Sequence, residues 1–113
     1  MTMRDMLSQT LTLLTDPDHW TQHYSARTAA NVPVYATNDH AVKFCVSGAI
    51  IHLFGDNKTS WRVLQYLDRS LQTYTPDMHA QPTGYDNVEC FNDVATHTEV
   101  LTFLRTACDK ARR

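Results

Sequence analysis

The stretch Ala41-Val42-Lys43-Phe44-Cys45-Val46-Ser47-Gly48-Ala49-Ile50-Ile51-His52-Leu53-Phe54-Gly55 decides the fold. Within it Val42, Cys45, Val46, Ala49, Ile50 and Leu53 recur at three- and four-residue spacing, the repeat of one helical face. Phe44, Gly48 and Ile51 add a second apolar face, so this helix is expected to run through the middle of a core. Asn38 or Asp39 ahead of it offers a side-chain oxygen to the unpaired amides of a first turn, which places the helix at residues 39–54. Gly55 supplies the stop. Gly48 inside a helix costs about 1 kcal/mol against alanine. The compensation expected is another element that approaches so closely there that a side chain would collide.

Three further segments carry a helical period. Residues 3–15 place Met3, Met6, Leu7, Thr10, Leu13 and Leu14 on one face. Asp16-Pro17 ends that run, because the residue before proline is pushed out of helical geometry. Residues 59–74 follow a Thr59 or Ser60 cap and carry Trp61, Leu64, Leu67, Leu71 and Tyr74. Residues 97–111 open on a capping box, Thr96 with Glu99, and bury Val100, Leu101, Leu104, Ala107, Cys108 and Ala111.

Between the first two helices Trp20, Gln22, Tyr24 and Ala26 alternate with polar neighbours, as do Val32, Val34 and Ala36, which reads as a β-hairpin. A helix opened by Pro17 with Asp16 as its cap is the competing reading. Residues 75–87 contain Pro76, Pro82 and Gly84 and read as a long loop. A short extended piece at 88–91 then leads to Asn92-Asp93. The fold class expected is mainly α (α+β): about four helices with a short hairpin, one domain over residues 1–113.

Composition narrows the function classes. Ten basic against 12 acidic residues give a formal charge of −2, without the basic excess that marks a nucleic-acid footprint. Lys110, Arg112 and Arg113 cluster at the end of the last helix, where cations suit its negative pole. No segment approaches the roughly 18 apolar residues a bilayer span requires, and the first residues are too polar for a signal-peptide core. Cys45, Cys90 and Cys108 are odd in number and form no close pair, so reduced thiols in a cytoplasm are expected.

Three constellations have chemical potential. Cys45 as nucleophile, His97 as base and Asn92 or Asp93 as orienter would make a thiol hydrolase site. The bland alternative is that Cys45, on an apolar face, is a small core hydrophobe. Six histidines (His19, His23, His40, His52, His79, His97) include the pair His19/His23 four residues apart. Neither Cys-x-x-Cys nor His-Glu-x-x-His occurs, so surface histidines are expected and no metal or other cofactor. The third is polar: Trp20 and Gln22 converging with Asn92 and Asp93 beside the central helix, as a ligand-binding pocket with aromatic walls or as structural bonds in a turn. With Gly48, Gly55 and Gly84 the sole glycines, no phosphate loop can be built.

The segments Trp20-Thr21-Gln22, Ala41 to Ile50, and Phe91-Asn92-Asp93 with Thr96 and Glu99-Val100-Leu101 carry a resemblance. The chain resembles a family of short uncharacterised proteins frequent in actinomycete genomes and their phages, with the pattern W-x-Q, A-V-x-W-C-x-x-G-A and W-N-D before a terminal helix. Phe44 and Phe91 stand where that pattern has tryptophan, and the usual hairpin-turn glycine is missing from residues 28–31. The resemblance implies the architecture and assigns no activity. The function expected is therefore a non-catalytic binding or accessory protein that recognises a protein or small ligand. A cysteine-dependent hydrolase is the first alternative. A self-associating structural protein, a homo-oligomer, is the second; separately, exposed aromatics such as Tyr35, Tyr66 and Tyr85 suit a protein interface or are ordinary scattered surface residues.

Overall fold

A computed structural model describes residues 1–76 and 84–111. Its elements in chain order are α1 (Met3–Thr15), a 3-10 turn (Pro17–His19), β1 (Ala26–Arg27), β2 (Pro33–Val34), β3 (Lys43–Phe44), α2 (Val46–Phe54), α3 (Lys58–Thr73), α4 (Val88–Val94) and α5 (His97–Lys110). The mainly helical class is borne out: the described residues form five α-helices and a small antiparallel sheet of order β2-β1-β3. His79, Arg112 and Arg113, and the middle of the expected long loop, lie outside the described residues.

α1 has the expected span, and Met6, Leu7, Thr10 and Leu14 are its buried residues. A capping box of Thr2 and Asp5 starts it. Both readings of the next segment hold in part. Asp16 caps a short 3-10 turn at Pro17, its carboxylate accepting the Asp18 amide at 2.9 Å. The β1–β2 hairpin follows, with Ala26 opposite Val34. Asn31 takes the turn's left-handed conformation at φ 65°. Asparagine tolerates that region better than most residues, which replaces the missing glycine.

The largest correction concerns the decisive stretch. The helix starts at Val46, not near residue 39, and Lys43–Phe44 form a third strand on the other side of β1. The amides of Val42 and Cys45 donate to Arg27 and Ser25 carbonyls at 2.9 and 3.2 Å, so they are spent across the sheet. Asn38 caps a tight turn through His40 rather than a helix. The cap of α2 is Cys45 itself, whose sulfur accepts the Gly48 amide at 3.3 Å. Cys45 is therefore at the helix start, and Gly48 in the first turn rather than mid-helix.

α3 is capped by Asn57, not Thr59 or Ser60. Trp61, expected on its buried stripe, is 51% exposed. Ser60 is the buried residue at that level, donating to the Gly55 carbonyl. The piece at 88–91, expected to be extended, is the first half of α4: Asn87 caps it, and Val88 and Phe91 turn inward one helical turn apart. α5 carries the expected capping box. α1, α2, α3 and α5 enclose the core, in which Leu7, Leu14, Val46, Ile50, Leu67, Leu71, Val100, Phe103 and Leu104 are essentially sealed from solvent. Aromatic edges at Tyr74–Phe103 and Phe91–Phe103, with centroids 5.1 and 5.4 Å apart, close one end.

One carboxylate ties α4 to α3: Asp68 accepts the Val88 amide at 2.8 Å. Burial raises this carboxyl above its usual range, the Val88 amide works against the rise, and the charge of Glu89 adds to it. The folded chain thus holds that proton to higher pH than the unfolded chain. Asp68 contributes most below the ordinary carboxylate pKa and loses that contribution as pH rises through the folded value. Asp68→Asn keeps an acceptor and sheds the charge, so its urea midpoint should gain on the native chain as pH is raised from 3 to 7. Asp68→Ala sheds the same charge but leaves the Val88 amide unpaired, so it should lie about 1 kcal/mol below Asp68→Asn at both ends. A pH-independent difference between the native chain and Asp68→Asn would contradict this account.

Candidate polar cleft beside the second helix

The site is built around Asn92, fully buried in α4. Its Nδ2 donates to the Thr21 carbonyl at 3.0 Å. Its Oδ1 accepts the Trp20 indole N–H at 2.9 Å and the Val46 amide, the first of α2, at 3.2 Å. Gln22 Nε2 donates to the Asn92 and Ala95 carbonyls at 3.0 and 2.9 Å, the latter one of the free carbonyls at the end of α4. Asp93 Oδ1 accepts the His23 amide at 2.7 Å. Trp20, Gln22, Asn92 and Asp93 are thus brought together, about 70 residues apart in sequence. The Trp20 indole N–H, the Gln22 Nε2 and both polar atoms of the Asn92 side chain are committed to one another and to backbone, which fixes the segment 20–23 against the starts and ends of two helices.

Asp93 reaches beyond that network. With His23, Tyr24, Ser25, Cys45, Ser47 and Glu89 it lines an open cleft of about 130 Å³. His23 holds φ at 74°, a left-handed value that is costly for a residue with a side chain. The Asp93 bond holds it there, and Nδ1 of the same ring lies 3.8 Å from Asp93 Oδ2. Ser25 is held because its carbonyl accepts the Cys45 amide. The sequence reading missed Tyr24, Ser25, Ser47 and Glu89 as a group and placed His23 elsewhere. Their assembly depends on β3, whose two residues carry no periodic signal.

Cys45 is buried at the back of this cleft. Its sulfur lies 3.2 Å from Ser47 Oγ and accepts the Gly48 amide. Burial raises the thiol pKa, only partly offset by those two groups, and the Glu89 charge adds to the rise. A helix start favours a thiolate, yet desolvation wins here, so the group is a neutral thiol at pH 7. His97 is engaged elsewhere: its Nε2–H donates to the Leu14 carbonyl at 2.6 Å, and its ring packs 5.3 Å from that of Trp20. Among the described residues no hydrogen bond joins Cys45 to His97. The structure sets Cys45 and Asn92 at the same helix start and His97 against α1.

Two further described histidines have partners of their own. His19 faces the Leu13 carbonyl at 3.2 Å, and His52 stacks on Phe44 with centroids 4.4 Å apart. Among the described residues no cluster of three His, Cys, Asp or Glu side chains is placed to hold a metal ion. No described helix is long and apolar enough to cross a membrane.

Comparison with known proteins adds one result. Residues 1–110 match the model of a family of unknown function, DUF6197. No curated protein and no solved structure matches the chain.

Proposed function

We propose that this chain, which belongs to the DUF6197 family of unknown function, is a cytoplasmic, non-catalytic binding or accessory protein encoded by an actinomycete or its phage. It recognises a protein or small ligand through the cleft at the start of α2. The supporting observation is the pairing of a rigid polar wall with a silent thiol. His23, Ser25, Ser47, Glu89 and Asp93 line the opening, while Cys45 behind them is held protonated by burial. Convergent polar groups on a fixed scaffold are the make-up of a recognition site. Drug-sized ligands occupy roughly 300–1,000 Å³, so a cleft of about 130 Å³ suits a side-chain tip or a small polar head.

The test pairs a pull-down and metabolite screen with two variants that leave the Asn92 network alone. His23→Gly removes the ring and relaxes the left-handed backbone; Asp93→Ala removes the carboxylate and, with it, the acceptor of the His23 amide. A partner recovered by the native chain should bind at least tenfold more weakly to a variant with unchanged circular dichroism. If both variants fold and bind every recovered partner as before, the cleft is not the recognition site.

The hydrolase alternative is separated by thiol labelling. In native protein at pH 7, iodoacetamide should modify the exposed Cys90 readily and Cys45 only after denaturation. Rapid native labelling of Cys45 would favour catalysis over binding.

A further inference from the structure

A second depression lies between α3 and the start of α4, on the other side of Glu89 from the polar cleft. It measures about 390 Å³ and is lined by Trp61, Leu64, Gln65, Asp68, Asn87, Val88 and Glu89. Its composition is unusual in two independent ways. Trp61 is half exposed, and among the described residues its indole ring stacks on no other ring and its N–H has no protein acceptor. A tryptophan left open on a helix that otherwise buries its apolar side is the kind of residue that anchors interfaces. The charge of the groove is also one-sided: Asp68 and Glu89 both line it, and no described lining residue is basic. The two carboxylates oppose one another, since the Glu89 charge adds to the burial that raises Asp68. A cation placed between them would relieve that opposition.

Resting on the binding reading above, we propose that this groove docks an arginine-bearing segment of a partner protein, the guanidinium lying over Trp61 between Asp68 and Glu89. Arginine fits the combination better than lysine. Its planar, weakly hydrated head stacks on an indole face while its N–H fork donates to carboxylates. The aliphatic stem, which a side chain of this length lays along a surface, runs over the exposed Gln65 beside the mostly buried Leu64. The location also fits: Glu89 belongs to both depressions, so a chain lying in the groove leads directly to the polar cleft.

The experiment titrates the full chain with acetylated, amidated hexa-arginine, using hexalysine, hexaglutamate and a neutral Gly/Ser hexamer as comparisons. The readouts are the Trp61 indole N–H resonance and the dissociation constant at low and physiological salt. Trp61→Ala and Glu89→Lys alter exposed side chains and should fold. Hexa-arginine should shift the Trp61 resonance, bind more tightly than hexalysine, and weaken at least threefold in Trp61→Ala and at least tenfold in Glu89→Lys. Binding that both variants leave unchanged is adventitious attraction to an acidic protein and overturns the proposal. So does equal binding of the neutral peptide. Self-association of the native chain that Trp61→Ala abolishes would give the groove to a second copy and overturn it as well. A partner that binds normally to Trp61→Ala but is lost from His23→Gly would defeat this proposal while leaving the cleft reading intact.

Discussion

Gly48→Ala is expected to destabilise the chain by about 4 kcal/mol or more, enough to remove a large part of a small domain's total stability. A Cβ built on Gly48 would fall 1.8 Å from the Ser25 carbonyl oxygen and 2.8 Å from its carbon. The obstacle is backbone, and that backbone is fixed because the same carbonyl accepts the Cys45 amide. Alanine's better helix propensity returns at most about 1 kcal/mol, so the collision dominates. Urea denaturation followed by circular dichroism measures the loss. A midpoint within 0.5 kcal/mol of native, taken as roughly the noise of a surface substitution, would mean that β1 and α2 do not approach as described.

Replacing Asn92 has a comparable effect by a different route. Asn92→Ala leaves the Trp20 indole N–H, the Val46 amide and the Thr21 carbonyl without their partner at a fully buried position. Each unsatisfied group costs about 1–3 kcal/mol, and the summed loss should be about 3 kcal/mol or more. Asn92→Asp isolates the donor. It keeps an acceptor for Trp20 and Val46 but sets a buried charge against the Thr21 carbonyl, a similarly large penalty at pH 7. That introduced carboxyl would be raised in the folded state, so the variant should recover part of its deficit relative to native as pH falls and the proton returns a donor. A cost below about 1 kcal/mol for Asn92→Ala would place the side chain outside the network. Because Asn92 holds the segment that carries His23, lost binding in such a variant would report a dismantled cleft, not a lost ligand contact.

How much of this was legible follows from element length. The boundaries of α1 and α5 were readable because each repeats its apolar face over three turns or more, and the Thr96–Glu99 pair marks a helix start chemically. The need for close approach at Gly48 was readable as well, since a glycine there is otherwise unfavourable. The true start of α2 was not. Asn38 and Asp39 are better capping residues than cysteine, and Phe44 and Val42 fit a helical face as well as a strand. Strands of two residues and a helix of seven are too short for a period to declare itself, so β3 and α4 are set by tertiary hydrogen bonds. The meeting of Trp20 and Gln22 with Asn92 and Asp93 could be anticipated from their grouping with the central stretch. The half-exposed Trp61 could not: its spacing with Leu64 and Leu67 matches a buried stripe, but the face that α3 buries runs through Ser60, Val63, Leu64, Leu67 and Leu71 and leaves Trp61 at its edge.

The bonds that close the molecule join its early and late parts: Trp20 to Asn92, Leu14 to His97, and the Arg4 carbonyl to the Cys108 thiol. During synthesis, therefore, α1 and the sheet leave the ribosome long before the groups that complete them exist. Until α5 emerges, the apolar face of α1 with Leu7 and Leu14 lacks the helix it packs on in the folded chain. Contacts between such distant residues are also formed against the largest loss of chain freedom, which slows folding. Apolar surface left uncovered in a partly made chain favours aggregation.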